Sequence, residues 1–184
     1  LANVEEGGRM AARYLHERGH RSILMAVSGM HHVERSNAAA HEDPPRDARN
    51  QGTVFVETAR ELGCTVEIVS GAADGGRYVY DTDALLAPLC RSKKPATAMF
   101  SSMDTTAYHA REAIRAAQPE LLDRFETVGF FNTPWSQAGH PPFTSVDLDF
   151  ETLVQEAGTL LRRLAQDPAL PPVTRLVTPR LVER

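Results

Sequence analysis

The chain has 184 residues, 42% of them hydrophobic and 24% charged, and a formal charge of −4 at pH 7. That length gives one complete domain and a fraction of another, with enough apolar material to bury a real core. The acidic balance excludes a segment that grips a phosphate backbone by itself, because such binding needs a clustered excess of Lys and Arg.

In chain order, Asn3 followed by Val4, Met10, Ala11, Tyr14 and Leu15 reads as an N-capped amphipathic helix stopping at Gly19. Ile23 to Val27 is a short buried strand closed by Ser28-Gly29. Residues 30–47 show no periodicity and contain Pro44 and Pro45, which predicts a long loop. Helical spacing returns from Arg49 to Leu62 and stops at Gly63, and Thr65 to Val69 is β-branched and strand-like. Gly71 to Gly76 reads as a glycine-rich loop. A helix from about Tyr78 to Cys90 ends in the basic cluster Arg91-Ser92-Lys93-Lys94, which is read as a solvated helix end. A strand at Ala96 to Phe100, a helix from Asp104 or Thr105 to Ala117, and a strand at Thr127 to Phe130 follow. Phe150, Leu153, Val154, Ala157, Leu160, Leu161 and Leu164 form one apolar helical stripe, and Val173 to Val182 is extended. Strands alternating with helices predict an α/β fold with a parallel sheet and right-handed crossovers. In such sheets ligands sit beyond the carboxyl ends of the strands. That points to Ser28 onward, Ser101 to Asp104, and Phe130 to Trp135.

Cys64 and Cys90 lack a CxxC partner, which fits a reducing cytosol, and no run approaches the roughly 20 apolar residues of a membrane span. Leu1 opens the chain without Met, a basic region or an apolar core, so no secretory leader is expected and the chain reads as part of a longer protein. Enzyme signatures are missing: there is no GxSxG, no P-loop, and no GxGxxG directly after a strand. His31, His32 and His41 with Glu34 and Asp43 crowd one Pro-rich loop, a poor frame for metal geometry, and no metal or cofactor is expected.

Several local strings, in order, resemble the regulatory domain of the LacI/GalR family of repressors. They are Asn3 to Arg9 with Gly19-His20-Arg21-Ser22-Ile23; Arg49 with Gly52 and Glu61-Leu62-Gly63; Pro95 to Phe100 with Asp104 and Ala107; and Val128-Gly129-Phe130 with Pro141-Pro142-Phe143-Thr144-Ser145-Val146. The resemblance implies a type I periplasmic-binding-protein-like fold, with two α/β subdomains joined by three strands and effector in the cleft between them. It implies a nearly complete C-terminal subdomain from residues 21–146 and 173–184. Residues 1–20 and 147–172 would be helices of an incomplete N-terminal subdomain, bared of the sheet they cover, and the DNA-binding helix-turn-helix would lie outside this chain.

The resemblance also implies site residues. Arg49 would point into the cleft and hydrogen-bond effector with its planar donor fork. Phe150 matches a cleft-lining aromatic and equally the first residue of a core stripe. Asp104 matches the Asp of an N-D pair in which Met103 replaces Asn, and N-capping outranks ligand contact for it. Phe131 stands at the first Asp of the family's G-F-D-D string, and Trp135 is a rim stacker or, preferably, a loop anchor. With Met103 and Phe131 in place of the groups that hold sugar hydroxyls, a flatter, more apolar effector is expected alongside the sugar-like class.

The function implied is therefore effector sensing in a cytoplasmic, homodimeric transcription regulator that reaches operator DNA only through the missing head. It performs no catalysis and contacts no membrane. The alternative is a solute-binding protein of the same fold.

Overall fold

The computed structural model describes residues 1–28, 50–167, 169–171 and 173–184. The loop expected at 30–47 therefore lies outside the described residues, as do Arg49 and the loop histidines.

Helix α1 (Val4–Glu17) starts at Asn3, whose side chain accepts from the Glu6 N–H at 3.2 Å. It turns through Gly19, at φ +92°, into strand β1 (Ser22–Ser28). Helix α2 (Gln51–Glu61) is capped by Asn50, which accepts from the Thr53 N–H at 2.9 Å. Strand β2 (Thr65–Asp74) then folds back as β3 (Arg77–Val79). Residues 71–74, expected as loop, are thus strand. Only Gly75 and Gly76, at φ +52° and +83°, make the turn. Helix α3 (Thr82–Leu89) is capped by Asp81 and begins later than the apolar spacing suggests, because the hairpin holds Tyr78 and Val79.

Strand β4 (Ala98–Ser101), helix α4 (Asp104–Ala117), a 3-10 turn (Pro119–Arg124) and strand β5 (Glu126–Phe130) follow. The short helix α5 (Pro134–Ala138), strand β6 (Thr144–Asp147), helix α6 (Phe150–Gln166) and strand β7 (Arg180–Val182) complete the order. The sheet runs β3-β2-β1-β4-β5-β6-β7. Its inner five strands pair in parallel, and β3 and β7 are antiparallel edges.

This is the expected α/β fold, a largely parallel sheet between helical layers. On one face Ala11, Leu15, Phe55 and Ala59 of α1 and α2 pack on Ile23, Met25, Phe100, Val128 and Phe130. On the other, Leu85, Ala107, Ala110 and Ile114 of α3 and α4 pack on Leu24, Ala26 and Met99. Phe55 stacks on Phe100 with centroids 3.9 Å apart.

The expectation that α1 lacks a sheet fails. Ala11, Ala12 and Leu15 are fully buried in the core of this chain. The reason is steric. A Cβ on Gly7 would stand 2.6 Å from the Phe130 ring, and one on Gly8 would stand 2.4 Å from the Gln51 carbonyl oxygen. Two glycines and two alanines let α1 approach both sheet and α2 closely. Helix α6 neither packs on α1, as the loss of a sheet would lead one to expect, nor finds another cover among the described residues: none of its residues is buried, and Val154 and Leu161 are 69% and 66% exposed.

Candidate functional site at the carboxyl edge of the sheet

The strand order reverses between β1 and β4. The chain steps from β1 to β2 on one side and returns as β4 on the other. The segments beyond the carboxyl ends of β4, β5 and β6 share that edge, where an open parallel sheet offers a crevice.

Asp104 anchors it. It is 1% exposed and is the first residue of α4, not its cap; the cap position is held by Met103, without a side-chain capping bond. One carboxylate oxygen accepts from the Ser145 hydroxyl at 2.7 Å. The other accepts from the Thr133 N–H at 2.6 Å and the Thr133 hydroxyl at 3.0 Å. Burial pushes the Asp104 carboxyl above its ordinary range, against the lowering effect of these donors. Asp104 therefore ties β5 and β6 to α4, a role the capping argument did not anticipate.

Phe131 and Asn132 leave β5 with φ of +89° and +49°. For a bulky side chain this is a strained backbone, of the kind that collects at ligand clamps and turns. The conformation turns Asn132 back onto β6. Its N–H donates to the Ser145 hydroxyl at 3.0 Å, and its Nδ2 donates to Asp147 at 3.2 Å. Its Oδ1 accepts from Arg184 at 2.6 Å. Asp147 in turn accepts from Arg180 at 3.0 Å and from the Asp149 N–H at 2.8 Å. Gln51 donates to the Ser102 carbonyl at 3.0 Å. Most polar side chains of this edge thus spend their hydrogen bonds within the protein, while the buried Ser101 hydroxyl has no partner among the described residues.

What the edge leaves open is aromatic. Phe131 lies edge-on to Phe130, with centroids 5.2 Å apart, and near-parallel to Phe150 at 6.3 Å and 18°. Phe150 is 47% exposed, like the rest of the uncovered α6 stripe. Trp135, the second residue of α5, packs against Tyr108 at 5.0 Å and His109 at 5.8 Å and is 41% exposed. It stands on a short helix where a loop was expected. Burial and then Arg77 hold the His109 imidazole below its ordinary value, and its Nδ1 accepts from the Tyr78 N–H at 3.3 Å.

The structure thus brings Asp104 and Phe131 to one edge with Phe150, leaves Met103 half-buried beside Asp104, and sets Trp135 on the aromatic cluster of α4. Thr133 falls within the Phe130–Trp135 segment expected at a strand end, but Ser145 and Asp147 were not singled out from sequence; their signal was polar residues in a buried strand. Among the described residues no group of three or more His, Cys, Asp or Glu could hold a metal, and no helix is long and apolar enough to cross a membrane.

Residues 12–184 match the model of the periplasmic binding protein-like domain. The chain belongs to that family. A comparison with curated protein sequences found no match. Among solved structures, the chain is similar to a structure described as a LacI-family transcriptional regulator from Rhizobium etli, at 25% identity and TM-score 0.74, covering 99% of this chain and 62% of that one. It is similar in fold to a LacI-family regulator from Clostridium acetobutylicum, at 18% identity and TM-score 0.72, covering 100% and 63%. It also resembles a LacI-family regulator from Enterococcus faecalis V583 solved with bound ribose, at 20% identity and TM-score 0.67, covering 100% and 61%. The chain therefore spans a little over three fifths of these relatives' length. Its family is one of binding proteins, and its structural neighbours are regulators of the LacI family.

Proposed function

We propose that this chain is the effector-sensing part of a LacI-type transcription regulator. A small molecule binds beyond the carboxyl edge of the sheet, against Phe131, Phe150 and Met103. Asp104 and Trp135 hold that edge in shape, and Arg49 supplies donors from the segment before α2. The observation that carries this reading is that the β4, β5 and β6 ends share one edge beside the reversal of strand order at β1 and β4, in a chain of the periplasmic binding protein-like family.

The subdomain bearing α6 closes over the effector and changes the geometry of a cytoplasmic homodimer. That alters the fit of DNA-binding heads to operator DNA, with no catalysis involved. Ribose belongs to the Enterococcus protein. For this chain, the internal bonding of Asp104, Asn132 and Asp147 supports an effector flatter and more apolar than a sugar. A hydroxyl-rich ligand would leave unpaired polar groups against Phe131 and Phe150. Calorimetric titration with ribose and with adenine tests this, adenine binding and ribose not. Ribose binding that Phe150→Ala abolishes would keep the sensor and overturn the effector class.

A solute-binding protein is the second reading, favoured by the family's own description. Export of the gene product from the cytoplasm would decide for it.

A further inference from the structure

At the opposite, amino edge of the sheet the 3-10 turn, the start of β5 and the segment before β6 line an open cavity of about 650 Å³. Its wall includes Arg18, Arg111, Arg124, Arg184, Glu126 and Phe143. We propose that this cavity is a second binding site, one that takes the dianionic phosphate group of a small phosphate monoester.

The charges of the wall are not balanced from within. Arg18 is neutralised by Glu126 at 2.6 Å, and His20 shares the same carboxylate at 2.8 Å. The other three arginines have no carboxylate partner among the described residues. Arg111, only 2% exposed, donates to the Thr127 hydroxyl at 2.8 Å and the Pro141 carbonyl at 2.9 Å, both neutral. Its Nε–H is buried and has no acceptor among the described residues. Arg184 donates to two further neutral oxygens, the Phe143 carbonyl at 3.3 Å and Asn132 Oδ1 at 2.6 Å. Arg124 is exposed and makes no ion pair among the described residues. Asp123 also lines the wall, exposed and paired with none of them.

A buried guanidinium without a counter-charge is costly, and it is retained where something else compensates it. Burial pushes Arg111 down to about 10, so it remains charged at neutral pH. Three uncompensated guanidiniums around one cavity, in a chain of net charge −4, concentrate a local positive field. Planar donor forks match phosphate oxygens in pairs. The volume far exceeds one phosphate group, and the Phe143 ring, 5.4 Å from the Arg111 guanidinium carbon, gives an apolar wall for the remainder of an ester. Only Arg184, through Asn132, also reaches the carboxyl edge.

The test is calorimetric titration of the 184-residue chain with glycerol 3-phosphate and with inorganic phosphate, in buffers matched for ionic strength with chloride. The result expected is saturable 1:1 binding of both, the ester more tightly, with Arg124→Gln/Arg184→Gln at least tenfold weaker and its circular dichroism unchanged. Because Arg111→Met can fail to fold, the Arg111 contact is read in the native chain: its Nε–H resonance shifts as glycerol 3-phosphate saturates. Absence of saturable binding, affinity unchanged in the double variant, or an unmoved Arg111 resonance would overturn the site. Inorganic phosphate binding as tightly as the ester would overturn the monoester and leave the free ion as ligand.

Discussion

Gly129 is the residue on which the candidate site most narrowly depends. A Cβ there would lie 2.1 Å from Asp104 Oδ1 and 2.8 Å from the Phe143 ring. Gly129→Ala is therefore expected to destabilise the fold by about 1–3 kcal/mol, the usual cost of overpacking, measured by urea denaturation. A loss within experimental error would mean that Asp104 is not held where we describe it. Glu126 makes a second, pH-dependent prediction. Burial raises its carboxyl, but hydrogen bonds from Arg18 and His20 and the nearby charge of Arg18 outweigh that and hold it below its ordinary value. Its folded pKa is thus below its unfolded one, so its stabilisation is present above the unfolded Glu range and lost as pH falls through the lowered folded value. Glu126→Gln should flatten the acid limb of a Tm-against-pH curve and leave the shape near neutrality unchanged. An acid limb as steep as the wild type's would contradict the assignment. Sequence reading could place Asp104 and Phe131 at a strand end by counting. It could not see that Asp104 turns inward, because Ser145 and Thr133, its partners, come from segments 41 and 29 residues away.

At the scale of elements, α1 and α6 carry similar apolar stripes and have opposite fates. Leu15 is fully buried, whereas Leu161 is 66% exposed. Leu15→Ala should cost about 2–5 kcal/mol, and Leu161→Ala should stay within about 0.5 kcal/mol in the isolated chain, both by chemical denaturation. Equal costs would show that α6 is covered in solution. The alternation of strands and helices was legible because apolar runs and glycine stops mark it locally. The allegiance of α1 was not read from its stripe; the sign lay in Gly7, Gly8, Ala11 and Ala12, a smooth face that fits a close neighbour. The β2–β3 hairpin was missed for a related reason. Gly71 reads as a loop residue, yet it is glycine because the Tyr80 ring lies 2.8 Å from where its Cβ would be. Helix α5 is too short to show any period.

At the scale of the molecule, a sheet edge with a strand-order reversal carries strained Phe131 and exposed Phe150, while bare α6 offers a face to a further subdomain. These features are what the proposed effector site needs, an apolar edge and an uncovered helix beside it. A small molecule bound at Phe131 and Phe150 stabilises the protein, and the thermal shift of the whole gene product that contains this chain, screened against sugars, nucleobases and small acids, reads this directly. One planar compound is expected to raise Tm saturably, by the equivalent of about 2.7 kcal/mol at a hundredfold excess over Kd. Phe131→Ala and Phe150→Ala are expected to abolish the shift while the fold persists. A compound that is turned over, or a shift that survives both substitutions, would contradict this reading.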